Sequence, residues 1–141
     1  MPRVIIADDA RFMRLMLRDI LERNGFEVVG EAENGAEALS LFRELRPDLV
    51  TLDIVMPGFD GLTALKAIMA HDKDACVVMV SAMGQLPFIE EAMASGAKGY
   101  IVKPFSPAKV LETIYKVMKI EKKSEDEENE GENSEPLSSQ E

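Results

Sequence analysis

Tryptophan is absent from this 141-residue chain, cysteine and histidine occur once each, and aromatic residues make up only 6%. One cysteine closes no internal disulfide, and a chain of this length buries enough surface to fold without one. Cys76 therefore points to a reducing compartment. Long apolar runs are missing too. Nothing approaches the ~18 residues of a membrane span. The start, Met1-Pro2-Arg3-Val4, lacks the apolar core of a signal peptide. The expectation is a cytoplasmic chain with no membrane association. Positive charge is also short, 16 basic residues against 26 acidic, for a net charge of -10. Nucleic-acid backbones attract Lys and Arg, so nucleic-acid binding by charge is excluded.

The acid surplus is unevenly placed. Residues 1–120 hold 17 acids and 14 bases, whereas 121–141 hold 9 acids and 2 bases. The last stretch has one large apolar residue, Leu137. It cannot bury enough surface to offset its ordering entropy, so it reads as a disordered acidic tail. The globular domain is then 1–120, with no second domain and no internal repeat.

Within that domain short apolar runs alternate with helical patterns. Val4–Ala7 is a strand closed by Asp8-Asp9, and Met13, Met16, Leu17, Ile20 and Leu21 follow at helical spacing. Asn24-Gly25 ends that helix, and a second strand runs from Phe26 towards Glu33. Asn34-Gly35 opens a helix with Leu39, Phe42 and Leu45, which Pro47 ends. Asp48–Leu52 is a third strand closed by Asp53, and Asp60 can cap a helix bearing Leu62, Leu65, Ile68 and Met69. Cys76–Val80 is a fourth strand closed by Ser81, and Pro87 suits the first turn of a helix with Ile89, Ala92 and Met93. Gly99–Val102 is a fifth strand closed by Lys103, and Ser106-Pro107 opens a last helix with Leu111, Ile114 and Met118. Cys76 and most of the nine methionines are expected in the core, and His71 on the surface. Five strand–helix units predict an α/β fold, a parallel sheet with helices on both faces.

In such open sheets ligands bind outside the carboxyl ends of the strands. Asp8, Asp9, Asp53, Ser81 and Lys103 all fall on that rim. Clustered carboxylates repel unless they are protonated or share a cation, and a hard cation such as Mg²⁺ suits oxygen ligands. A carboxylate is also a nucleophile towards phosphorus. Phosphoryl transfer then needs mainly charge neutralisation and positioning, which a divalent cation, a lysine and a hydroxyl supply.

The segments Ile5-Ile6-Ala7-Asp8-Asp9, Asp53–Gly61, Ser81-Ala82 and Lys103-Pro104-Phe105, in this order and at these strand ends, make the chain resemble the response-regulator receiver family over residues 1–120. Within it, Ser81–Gln85 resembles the stand-alone chemotaxis members of the Gram-positive type. The resemblance implies a flavodoxin-like (βα)5 three-layer sandwich with strand order 2-1-3-4-5. It makes Asp53 the phosphoacceptor. Asp8 and Asp9 become the pair that holds Mg²⁺, Asp9 more directly, with Asp53 and the backbone carbonyl of Val55 as further ligands. Lys103 pairs with the phosphoryl group, and Ser81, more often Thr in the family, moves onto it. Tyr100 is the aromatic that swings inward with Ser81, and Pro104 follows a cis peptide bond. Side chains two beyond Asp53 and Ser81 influence water attack in the family. Here these are Val55 and Met83, both apolar, which predicts slow self-dephosphorylation.

The implied function is that of a monomeric single-domain response regulator of two-component signalling. It takes phosphate from a chemotaxis-type histidine kinase, relays the signal to the flagellar motor switch protein, and is reset by a phosphatase. It is no enzyme beyond its own Mg²⁺-dependent phosphotransfer and self-dephosphorylation. The alternative within the family is a phosphorelay intermediate that passes phosphate to a histidine phosphotransfer protein. Two other classes fare worse. A haloacid-dehalogenase-like phosphatase wants a second acid two beyond its nucleophile, where Val55 stands. A nucleotide- or flavin-binding protein wants a glycine-rich loop after the first strand, and none follows Ala7. Plainer roles exist for single residues: Asp8-Asp9 could cap a helix, Asp53 could be a turn residue, and Tyr100 could be ordinary strand packing. Lys109, Lys116 and Lys119 could be a solvated face or could meet an acidic partner.

Overall fold

A computed structural model describes residues 1–120; the expected acidic tail lies outside the described residues. The elements run β1 Arg3–Ala7, α1 Arg11–Glu22, β2 Glu27–Ala32, α2 Gly35–Leu45, β3 Leu49–Leu52, α3 Gly61–His71, β4 Val77–Ser81, α4 Leu86–Ala94, β5 Gly99–Val102 and α5 Pro107–Met118. All strand pairs are parallel, in the order β2-β1-β3-β4-β5. This is the expected flavodoxin-like sandwich.

The layers follow from strand alternation, since successive side chains leave opposite faces of a sheet. Ile5, Val50, Leu52, Val77 and Met79 pack on one side with Phe42 of α2, Leu65 and Ile68 of α3 and Ala92 of α4. Val4, Ile6, Leu49, Val78 and Val80 pack on the other with Leu17 and Leu21 of α1 and Val110 and Ile114 of α5. Both faces are covered, which is why the strands read as unbroken apolar runs. Because every strand is parallel, all five carboxyl ends emerge at one rim.

The helix starts carry the expected caps. Asn34 accepts from the Glu37 amide, Asp60 from the Thr63 amide and Ser106 from the Lys109 amide. Each satisfies an otherwise orphaned donor in the first turn.

Several expectations need correction. Phe26 precedes β2 instead of starting it; its ring is buried and stacks on Tyr115 at 6.1 Å. Asp48 precedes β3, its carboxylate accepting from the Arg3 amide at 2.7 Å. Cys76 is half-buried and lies before β4, while Ser81 is that strand's last residue. Only Met56 and Met79 of the nine methionines are buried, and Met93 is 43% exposed. The long flexible thioether fills the margins of the two cores here more than their centres.

Candidate functional site

Lys103, at the end of β5, reaches across the rim to residues far away in sequence. Its Nζ donates to Asp8 Oδ2 at 2.7 Å and to Asp53 Oδ2 at 2.9 Å. The other oxygens are held locally: Asp8 Oδ1 accepts from the Ala10 amide at 2.9 Å and Asp53 Oδ1 from the Val55 amide at 3.2 Å. Each buried carboxylate thus has one oxygen on its own backbone and one on the shared ammonium. Asp9 is exposed, yet Asp8, Asp9 and Asp53 each place an oxygen within 4.8 Å of the other two. Neither Asp8 nor Asp9 serves as a helix cap, because the N-cap of α1 is Ala10.

Burial works to lower the Lys103 pKa, but the hydrogen bonds and charges of Asp8 and Asp53 outweigh it and hold the group above the ordinary lysine value. One ammonium faces three carboxylates. A hard divalent cation would supply the missing charge, and an all-oxygen acid cluster open at Asp9 fits one that keeps several waters. The donor set therefore suits Mg²⁺.

Ser81 and Tyr100 are joined through one loop residue. Ser81 is fully buried, and its Oγ accepts from the Met83 amide at 3.2 Å. The Tyr100 hydroxyl donates to the Met83 carbonyl. Tyr100 is half-buried and packs against the α2–α3–α4 side of the core. The Tyr100 pKa is raised above the ordinary tyrosine value, chiefly by burial; the nearby Ser81 hydroxyl opposes this and the charge of Asp53 adds to it. Met83 is thus clamped between the two side chains. The Lys103–Pro104 peptide bond is cis. Val55 stands beside the acids, 56% exposed.

The sequence profile of the response regulator receiver domain matches residues 4–115. The chain belongs to the response-regulator receiver family. This receiver is 55% identical over 116 residues to the chemotaxis protein CheY of Bacillus subtilis, covering 82% of this chain and 97% of that one. It is 52% identical over 117 residues to CheY of Thermotoga maritima, covering 83% and 98%. Among solved structures it superposes on a CheX–CheY–BeF3–Mg²⁺ complex from Borrelia burgdorferi with a TM-score of 0.80 at 40% identity, over 82% of this chain and 87% of that one.

The receiver also uses residues that sequence reasoning missed. Arg14 is a charged residue on the buried face of α1, in helical register with Leu17 and Leu21. Its Nη1 donates to the Asp8 carbonyl at 2.7 Å and its Nε to Glu31 Oε1 at 2.9 Å, tying the acid loop to β2. An arginine inside an apolar stripe was the available signal. Gly61 opens α3 against the Asp53 loop: its amide donates to the Ile54 carbonyl at 2.8 Å, and an added Cβ would lie 1.8 Å from the Asp53 carbonyl oxygen. Only glycine permits that approach. Phe12 and Leu15 on α1 and Leu86 at the start of α4 are exposed apolar residues. Phe12 and Leu15 sit off the core-facing stripe of α1, which was their signal; Leu86 is in helical register with Ile89 and Met93, so spacing alone gave no sign of its exposure.

Among the described residues no helix is long and apolar enough to cross a membrane.

Proposed function

We propose that this receiver is a cytoplasmic, stand-alone messenger of chemotaxis signalling, phosphorylated on Asp53 by a histidine kinase and reset by a phosphatase. The observation that carries the reading is the shared clamp: one lysine on two buried carboxylates, with a third carboxylate within 4.8 Å. The names of the relatives at 52–55% identity support the chemotaxis assignment, and the CheX–CheY neighbour supports a phosphatase as a partner.

Asp8, Asp9 and Asp53, with the Val55 carbonyl, would hold Mg²⁺, which when bound neutralises charge on the phosphoryl oxygens. An Asp53 carboxylate oxygen attacks phosphorus, the phosphorus–nitrogen bond of the donor imidazole breaks, and an acyl phosphate forms. Val55 and Lys103 hold the Asp53 carboxylate in place for that attack. The phosphoryl group carries about -1.5 to -2 of charge, in place of the single negative charge of the Asp53 carboxylate it consumes. Lys103 and the Ser81 hydroxyl are the rim groups that can meet it.

The clamp on Met83 makes this local event a switch. When the Ser81 hydroxyl turns to the phosphoryl group, the Met83 amide loses its acceptor, and the carbonyl of the same residue holds Tyr100. The loop after β4, Tyr100 and the α4–β5–α5 face then shift together, because the phosphorylated form has contacts the other lacks. That face is the docking surface for the flagellar motor switch protein.

The test is incubation with acetyl phosphate and Mg²⁺ followed by intact mass. The wild type should gain one phosphate and Asp53→Asn none. A wild type without an adduct refutes the proposal. Phosphate exchange with a histidine phosphotransfer protein, without phosphate-dependent capture of a motor-switch peptide, would make it a relay intermediate instead.

A further inference from the structure

Between α4, β5 and α5 runs a groove of about 500 Å³ lined by Met93, Tyr100, Val117 and four lysines, Lys98, Lys109, Lys116 and Lys119. Glu112 is the one acid in its lining. A short apolar floor with four cations around it fits an acidic segment, and one begins a few residues away on the same chain. Lys119 lines the groove and is also the C-cap of α5. Its left-handed conformation, φ 56°, turns the backbone so that the Ile120 amide donates to the Tyr115 carbonyl at 2.9 Å. The chain therefore leaves the described structure at the end of the groove.

Beyond that point Glu125, Asp126, Glu127, Glu128, Glu130 and Glu132 place six acids in eight residues with no base among them. Six extended residues span at most about 20 Å. Lys119 back to Lys109 along α5 is about 15 Å. The acid block can therefore reach Lys109, Lys116 and Lys119 along α5, while Lys98, whose Nζ also donates to the Ala75 carbonyl at 3.2 Å, lines the groove beside them. Exposed ion pairs are individually weak and fade with salt. A tether this short supplies an effective concentration of about millimolar, which compensates for weak contacts.

We propose that the acidic segment 125–132 docks intramolecularly on the lysine-rimmed α4–β5–α5 groove and shields it from other partners. The docking itself is independent of what the face binds. Its consequence for signalling rests on the reading of that face as the motor-switch surface. The segment then acts as a tethered competitor, and partner affinity falls in proportion to the fraction of time the groove is covered.

The test uses the full chain. A nitroxide is attached at Asn129→Cys, inside the acid block, in a Cys76→Ala background. Backbone amide relaxation is read at low salt and at about 0.5 M, where the Debye length is only a few ångströms. Docking predicts broadening at Met93, Lys98, Tyr100 and Lys116, lost at high salt. It should also vanish when the six acids are changed to Gln or Asn. Broadening absent from these amides, or spread evenly over the surface, overturns the proposal. Broadening of an isotope-labelled, spin-free chain mixed with the spin-labelled one places the segment on a second copy and overturns it equally. With docking established, the six-fold neutral chain should bind a motor-switch peptide roughly two- to fivefold more tightly than the wild type. Docking without that gain leaves the tether intact and refutes the motor-switch reading of the face.

Discussion

Replacing Lys103 with methionine keeps most of the side-chain stem and deletes the ammonium that holds two carboxylates. The Lys103, Asp8 and Asp53 side chains are 14%, 2% and 8% exposed. Breaking a buried pair from one side costs about 3–5 kcal/mol, because the charge left behind has no partner. Two carboxylates are stranded here, but they border the exposed Asp9, so water reaches the rim. The loss belongs at the lower end, about 3 kcal/mol. With a slope of about 2 kcal/mol per molar urea, the unfolding midpoint at neutral pH should fall by roughly 1.5 M. The Lys103 pKa is raised in the folded state. Its stabilisation is therefore complete below the unfolded value near ~10.4 and is lost as pH rises through the higher folded value, where the gap to the variant closes. Mg²⁺ offers the same carboxylates another cation, so it should restore more stability to Lys103→Met than to the wild type. Urea unfolding followed by far-UV circular dichroism, with and without Mg²⁺, reads all three effects. An unchanged midpoint at neutral pH, or a deficit that Mg²⁺ leaves untouched, refutes the reasoning.

Gly61→Ala forces a Cβ into the Asp53 carbonyl and should cost at least about 3 kcal/mol; a thermal midpoint within a few degrees of wild type contradicts the close approach. Burial pushes the Glu31 pKa up, but hydrogen bonds and charges from Arg18 and Arg14 win and lower it. Glu31 therefore stabilises the fold above its unfolded value near ~4.3 and loses this as pH falls through the lower folded value. Glu31→Gln should be less stable by about 1 kcal/mol at neutral pH and equal to the wild type in acid, by urea unfolding across pH; a deficit independent of pH would rule this out. Val55→Asn, placed beside the acids, should shorten the life of the phosphoryl adduct severalfold by helping water in, as followed by intact mass over time. A wild-type adduct lost within seconds would remove the premise.

How much was legible varies with the range of the interaction. Leu17, Ile20 and Leu21 announce α1 through spacing alone, and Asp60 and Ser106 announce their helices through capping chemistry. Asp8, Asp53 and Ser81 could be assigned to one rim because a parallel sheet puts every strand's carboxyl end on the same edge. The element ends at Phe26, Asp48 and Cys76 were misplaced by one residue or so. Ladder pairing, which sets a strand's end, depends on the neighbouring strand and not on local apolarity.

The sequence by itself determined the alternation of strands and helices, the parallel sheet it requires and the chemistry available at its rim, since these follow from periodicity and residue type. Tertiary structure decided which groups touch. Lys103 meets Asp8 across 95 positions of sequence and Asp53 across 50. Met83 is caught between Ser81 and Tyr100, and Gly61 is pressed onto the Asp53 carbonyl. Arg14 points inward to the Asp8 carbonyl. Such contacts join residues that local propensity treats as independent, and only the packing of the sheet against its helices brings them within hydrogen-bond distance.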